Sequence, residues 1–341
     1  MNKLPKLVWV STFVLVSLVS CKRLPENNHS QKGAVALLDS LRASEEIIKD
    51  DNDRFFGHIK AIDVAIQLKT STKSLKNLHV EFYKEYLKSQ VGNFTKSETD
   101  QLTAIWNKVQ RYSKAVNPDL DVNVNLIKIK TGHYGPNVFY TRGNNIFIPD
   151  NMTEKANSEI LFPILMHEWW HILSEYYPDL KEALYAVFGF KKHNLQLLIP
   201  DKLKESLLTN PDGVSLDFAL PAENNNWLMP LIFTDQTGFN PVKNDFMGHL
   251  KMEVYRINSD GKLLLPEQNA NLQKDMQYFF SSIGDNTQYI IHPDEIVADN
   301  VMLAIIAHTT GDYRSFSKGG KEKIEQVLTI LKRKNWNSTF N

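Results

Sequence analysis

The sequence predicts an α+β fold, mostly helical, with a small mixed or antiparallel sheet ahead of a buried helix and a second β-containing segment farther along. Three observations carry this. Leu102, Ile105, Trp106, Val109, Tyr112 and Val116 recur at helical spacing. Residues 122–129 alternate in part between apolar and polar, and a hairpin signal follows them. Residues 160–173 are almost unbrokenly apolar over a helix-like length, and His167-Glu168-Trp169-Trp170-His171 lies inside that run.

The elements follow in order. Lys3 and Lys6 precede Leu7–Val19, thirteen mostly apolar residues with the layout of a signal peptide and too few to span a bilayer comfortably. The segment closes on Leu18-Val19-Ser20-Cys21, which looks like a bacterial lipobox. That likeness implies removal of residues 1–20, acylation of Cys21 and a lipid anchor in the bacterial cell envelope. Lys22 stands where an aspartate is associated with inner-membrane retention, so the likeness favours the outer membrane. Residues 21–33 are polar and turn-rich, as a tether should be. Cys21 is the chain's only cysteine, so the mature chain can form no internal disulfide and has no thiol to compete for a metal.

Residues 34–341 then make the folded domain. With 42% apolar residues, the mature chain of about 320 can bury a substantial core. Its helical first part, 34–120, is expected to hold amphipathic helices at 34–50 and 76–90. A capping box at Ser97-Glu98-Thr99-Asp100 opens a third helix, and Asn117-Pro118-Asp119 ends it. The second part, 121–341, begins with a strand at 122–129. A hairpin then joins Val138–Thr141 to Ile146–Ile148 through Arg142-Gly143-Asn144-Asn145. Asn157 and Ser158 can start the histidine-bearing helix, with Pro163 in or just after its first turn and Pro178 beyond its end. A helix at Pro178–Phe188, stopped by Gly189, leads into an insertion at about 190–265. That insertion carries strands at 227–235 and 249–257 and turns at Asn210-Pro211-Asp212-Gly213 and Ser259-Asp260-Gly261. Helices are expected near 268–282, 292–308 and 319–333. Lysine plus arginine equals aspartate plus glutamate at 39 each; losing Lys3 and Lys6 with the signal leaves a mature net charge of −2. No basic run interleaved with aromatics suggests nucleic acid as a partner.

The chemistry lies in the apolar run. On a helix, residues four apart stand one turn apart on one face, so His167 and His171 can share one metal ion and Glu168 can reach a water bound to it. A catalytic zinc site takes three protein ligands and leaves a fourth position for water. Ser174 and Tyr177 stand where the extended metzincin pattern needs glycine and histidine, which excludes that class. The third-ligand candidate is Glu295, within His292-Pro293-Asp294-Glu295 at a helix start and four residues before Asp299. His292 and Asp294 are the substitutes if Glu295 is not the ligand.

Together these residues resemble the gluzincin metallopeptidases, the thermolysin-like clan. The resemblance covers roughly 157–176 and 292–308. The stretches 168–190 and 286–300 are also similar to a family of bacterial metallopeptidase-type lipoproteins, a likeness that names no substrate. The interval of 124 residues from His171 to Glu295 is longer than in familiar gluzincins.

The resemblance implies a zincin-like fold in which the sheet lies beside the His-Glu-x-x-His helix and its edge strand pairs with extended substrate. Residues 140–149 are the candidate for that edge. It further implies one zinc ion per chain, held by His167, His171 and Glu295, with Asp299 orienting a ligand histidine and Glu168 as general base. Tyr289, His292 and Tyr255 are the candidate oxyanion donors. The expected activity is zinc-dependent hydrolysis of peptide bonds in a peptide or protein substrate. Two other readings stand beside it: a non-catalytic envelope lipoprotein stabilised by zinc, and a zinc amidase acting on cell-wall material.

Overall fold

Two small five-stranded sheets and a packed set of helices are formed by the described residues, and the fold is mixed α+β and about half helical. The computed structural model describes residues 33–50, 54–75, 79–153 and 158–338. The signal segment, Cys21 and Asn157 lie outside the described residues, as does the tether up to residue 32. Among the described residues no helix is long and apolar enough to cross a membrane.

The first sheet contains β1 (Val35–Leu37), β2 (Val91–Gly92), β3 (Val124–Ile129), β4 (Tyr140–Arg142) and β5 (Asn145–Pro149). Its order is β1-β3-β5-β4, with β2 also paired to β3. β1 and β5 run parallel to β3, and β4 folds back antiparallel on β5 as the outer strand. This arrangement explains the imperfect alternation of β3. Its adjacent residues Leu126 and Ile127 are both fully buried, Leu126 in the main core and Ile127 in a second cluster on the other face. Strands covered on both faces lose their polar alternation.

The second cluster is covered by α1 (Ser40–Glu46), α2 (Phe55–His58), α3 (Ala61–Gln67), α4 (Thr72–Leu75) and α5 (His79–Lys88). The main core gathers α6 (Lys96–Val116), α7 (Ser158–Tyr176) and α8 (Pro178–Val187). After the short α9 (Asp201–Lys204) and α10 (Phe246–His249), it adds α11 (Leu272–Ile283), α12 (Pro293–Thr310) and α13 (Lys318–Leu331). The second sheet, β6 (Lys191–Lys192), β7 (Phe218–Pro221), β8 (Trp227–Phe233), β9 (Lys251–Ile257) and β10 (Leu263–Leu264), is antiparallel in the order β10-β9-β8-β7-β6. It falls within the segment expected to carry its own β element.

Two expected boundaries move. Residues 34–50 are not one helix: Val35–Leu37 pair in register with Val124–Leu126, so tertiary pairing overrides the helical spacing of the leucines. The helix starts only at Ser40, where the Asp39 carboxylate accepts from Arg42 N at 2.9 Å. The next capping box begins at Thr95 rather than Ser97. Glu98 N donates to the Thr95 hydroxyl, and the Glu98 carboxylate accepts from Thr95 N at 2.7 Å.

Two buried polar side chains tie the N-terminal helices to the rest. Arg142, on β4, donates to Ile47 O at 2.5 Å, and its guanidinium lies 4.6 Å from the Phe55 ring centroid and 5.3 Å from that of Phe147. Asp63, on α3, accepts from Lys60 N at 2.8 Å, Thr209 N at 2.8 Å and the Thr209 hydroxyl at 3.0 Å. Burial pushes the Asp63 carboxyl up to about 7, against the downward pull of those hydrogen bonds. An acid whose folded pKa lies above its unfolded value holds its proton longer in the fold. Its contribution to stability is therefore complete below pH ~4 and lost as pH rises toward 7. Urea unfolding followed from pH 4.5 to 7.5 should show wild-type stability falling, by up to ~1.4 kcal/mol per pH unit from this group, relative to Asp63→Asn. Parallel curves for the two proteins would rule the linkage out.

Candidate metal centre

α7 is apolar on nearly every side and buried from Leu161 and Phe162 through Leu165–Ser174, because α6, α8, α12 and the β4–β5 hairpin all pack on it. Pro163 sits inside the helix. Within this element His167 and His171 fall one turn apart, with ring centroids 4.9 Å apart. α12 lies against α7 and starts as its sequence dictates. The His292 ring accepts from Asp294 N as N-cap, Pro293 takes the first position, and Asp294 and Glu295 fill the first turn. The helix ends at Gly311, whose φ of +72° suits a residue without Cβ.

This packing brings Glu295 Oε2 to 3.1 Å from His167 Nε2 and 3.6 Å from His171 Nε2. Ligand atoms of the three residues all lie within 4.8 Å of one another, and all three residues are buried. Around a tetrahedral ion with bonds of ~2.1 Å, neighbouring ligand atoms stand roughly 3.4 Å apart. The observed separations straddle that value. Neither ring nitrogen of His171 has a hydrogen-bond partner among the described residues, although its side chain is only 1% exposed. A buried, unsatisfied imidazole is costly unless something binds it. Two imidazoles, one of them unsatisfied, and one carboxylate therefore make a group that could hold a metal ion.

Carboxylates back both rings. His167 Nδ1 lies 2.8 Å from Asp299 Oδ1, whose other oxygen accepts from the Thr287 hydroxyl. His171 Nδ1 faces Asp294 Oδ2 at 3.6 Å, and Lys181 Nζ lies 3.7 Å from that same oxygen. Burial disfavours charge on His167, yet its hydrogen bonds to Asp299 and Glu295 lift it to about 10. Burial likewise pushes Glu295 up, but the facing His171 and His167 outweigh it and hold the carboxyl well below the usual range. The centre thus favours positive charge, and the carboxylates that draw protons to the rings would draw a divalent cation.

Glu168 points elsewhere on the same helix. Its Oε2 accepts from the Thr141 hydroxyl at 2.7 Å, and burial raises its pKa. Asp212 comes in from the segment between α9 and β7. Its Oδ1 accepts from Thr141 N at 2.5 Å, and it forms a second close group with Glu168 and His171. Asn210 Nδ2 donates to Glu295 Oε1 at 2.7 Å.

The three oxyanion candidates separate. The Tyr289 ring centroid lies 6.1 Å from that of His167, and burial together with Glu295, Asp212 and Glu168 keeps its phenol protonated, hence a donor. His292 is engaged through both nitrogens, with Ser215 O and with Asp294 N. Tyr255 is not brought to the site: its hydroxyl donates to Glu253 and its ring packs beside Phe233 in a third apolar cluster.

Sequence reasoning read Asp212 and Asn210 only as turn residues and Thr141 only as part of a hairpin. It treated Asp294 as a helix-start acid and substitute ligand. A turn signal such as Asn-Pro-Asp-Gly says nothing about what the turn touches. Comparison of the chain with protein-family models, with curated proteins and with solved structures found no match.

Removing a carboxylate that orients a ligand imidazole should cost ~10–100-fold in metal affinity. Zinc titration against a competing chelator should show losses of that size for Asp299→Asn and Asp294→Asn, and a larger loss for Glu295→Ala. Wild-type affinity in the last variant would remove Glu295 from the ligand set.

Proposed function

We propose that this chain is a zinc-dependent hydrolase of peptide bonds, of the gluzincin type and with a zincin-like fold, carried on a lipoprotein anchored through Cys21 in the bacterial cell envelope. The observation that carries the reading is the convergence of His167 Nε2, His171 Nε2 and Glu295 Oε2, with Glu168 one residue from a ligand yet outside that group. A zinc ion held by His167, His171 and Glu295 would supply an acidified water and a polarised carbonyl, which are what amide hydrolysis lacks in neutral solution.

The remaining steps belong to the protein's own groups. Glu168 takes a proton from the attacking water and returns it to the leaving amine. The Thr141 hydroxyl holds one oxygen of that carboxylate, so the proton is carried on the other. Burial strengthens Glu168 as a base, since charge on a carboxylate is disfavoured away from water. The Tyr289 phenol, kept protonated by burial and its acidic neighbours, would donate to the oxyanion that develops on the scissile carbonyl. Asp299 and Asp294 hold the imidazoles in orientation. A purely structural zinc would need no buried acid beside a ligand and would fill its fourth position with protein.

The deciding experiment is Glu168→Gln, assayed on a peptide library and on purified peptidoglycan with products identified by mass. Turnover should fall by ~10²–10⁴-fold, the range ascribed to general-base catalysis, while one zinc per chain remains. Hydrolysis retained by this variant would sink the assignment. Products from peptidoglycan alone would move the substrate class to cell-wall amides.

A further inference from the structure

The segment Thr209–Gly213 crosses the centre and is held at three places. Thr209 is bound through both its N–H and its hydroxyl to the buried carboxylate of Asp63. Just before it, Leu208 N donates to Ile232 O at 2.9 Å, fixing the segment to the end of β8. The Asn210 amide then binds Glu295 Oε1, and the Asp212 carboxylate binds Thr141 N. Gly213 passes so near Asp294 that a Cβ there would stand 2.9 Å from its Oδ2, so only glycine fits without displacing that carboxylate.

Thr141 lies on β4, the outer strand of the first sheet. An outer strand presents backbone N–H groups to any extended chain that can add to it. Here the outward N–H beside Glu168 is already taken by an acidic side chain of the same molecule. The space beside Asp212 is narrow and only partly open. Tyr134, Phe139, Phe246 and Tyr289, with Pro211 and Asp212, surround a cavity of about 20 Å³. That is room for about one water and for no amino-acid side chain.

We propose that Thr209–Gly213 is a built-in occupant of the substrate cleft, with Asp212 latched on the Thr141 N–H, and that an extended substrate enters only when this latch releases. The proposal rests on the hydrolase reading for what the cleft binds, and not for the latch itself. The Asp212 carboxyl oxygen accepts from the Thr141 backbone amide, and breaking that bond exposes the donor that a substrate carbonyl would otherwise use. Asp63 and β8 hold the segment's base, so release swings the tip out and leaves the anchor in place.

Two measurements on the full chain test this. In the first, hydrogen exchange at the Thr141 amide is followed without metal. It should be slow in the wild type and ~10–100-fold faster in Asp212→Ala, as expected when a buried donor loses its partner. Asp212→Asn, which keeps a carbonyl acceptor, should fall between. Fast exchange already present in the wild type would overturn the latch whatever the site binds. In the second, the chain is loaded with cobalt, and binding of acetohydroxamate and of a dipeptidyl hydroxamate is followed by the visible spectrum. Asp212→Ala should speed association of the dipeptidyl probe ~10–100-fold, and by a clearly larger factor than that of acetohydroxamate, since only the larger ligand needs the cleft open. Unchanged or slower association of the dipeptidyl probe would overturn the proposal. Failure to take up cobalt at all would instead count against the hydrolase reading, leaving the exchange result to decide the latch.

Discussion

The constraint on which the rest of the structure depends is the burial of charge between two apolar helices. α7 and α12 are hydrophobic on almost every face, yet where they meet they enclose two imidazoles and the carboxylates of Glu168, Asp294 and Glu295. Isolated charges in such a place would be severely destabilising. They persist because each has a partner at fixed distance: Asp299 for His167, Asp294 for His171, Lys181 for Asp294, Thr141 for Glu168 and Asn210 for Glu295. A small slide of α12 along α7 would break several of these pairs at once. Rigid apolar packing is therefore what allows an acidic, cation-seeking centre to exist in the core.

That rigidity is built from both sides of the first sheet. α6 and α12 press on one side of α7, and the β4–β5 hairpin presses on another. The hairpin is itself fixed from behind, where Arg142 reaches Ile47 O and rests among the rings of Phe55, Phe56, Tyr140 and Phe147. One residue away, Thr141 touches Glu168. Among the described residues the N-terminal helices thus contribute no group to the centre, yet they set the position of the strand that holds Glu168.

The parts legible in the sequence are those whose chemistry and geometry are both local. His167, Glu168 and His171 share one helix, and Glu295 shares another with Asp299, so periodicity alone predicts which face each occupies. The helix start at Pro293, the hairpin turn and the stripe from Leu102 to Val116 are legible for the same reason. What escaped depends on contacts between distant parts of the chain. Val35–Leu37 form a strand only because Val124–Leu126 lie beside them, and nothing within residues 34–50 reveals that partner. Asp63 holds Thr209, 146 residues away, and nothing near it in the chain reveals that partner. Asp212 sits in a four-residue turn signal, and a turn signal describes backbone shape and not destination.

The long interval between His171 and Glu295 can be understood in the same terms. A chain that needed only two site helices could connect them by a short loop. Here the connection builds an antiparallel sheet of its own, whose inner residues Leu220, Leu228 and Val254 join the main core. Ahead of β7, one segment tied to the end of β8 passes to the centre. That segment supplies the amide on Glu295 and the carboxylate on the outer strand, groups that neither α7 nor α12 could present, because both helices already spend their facing residues on the imidazoles and their supports. The interval is therefore part of the centre. Any rearrangement of the second sheet should reach Glu295 through Asn210 and the outer strand through Asp212, coupling the two along one short stretch of backbone.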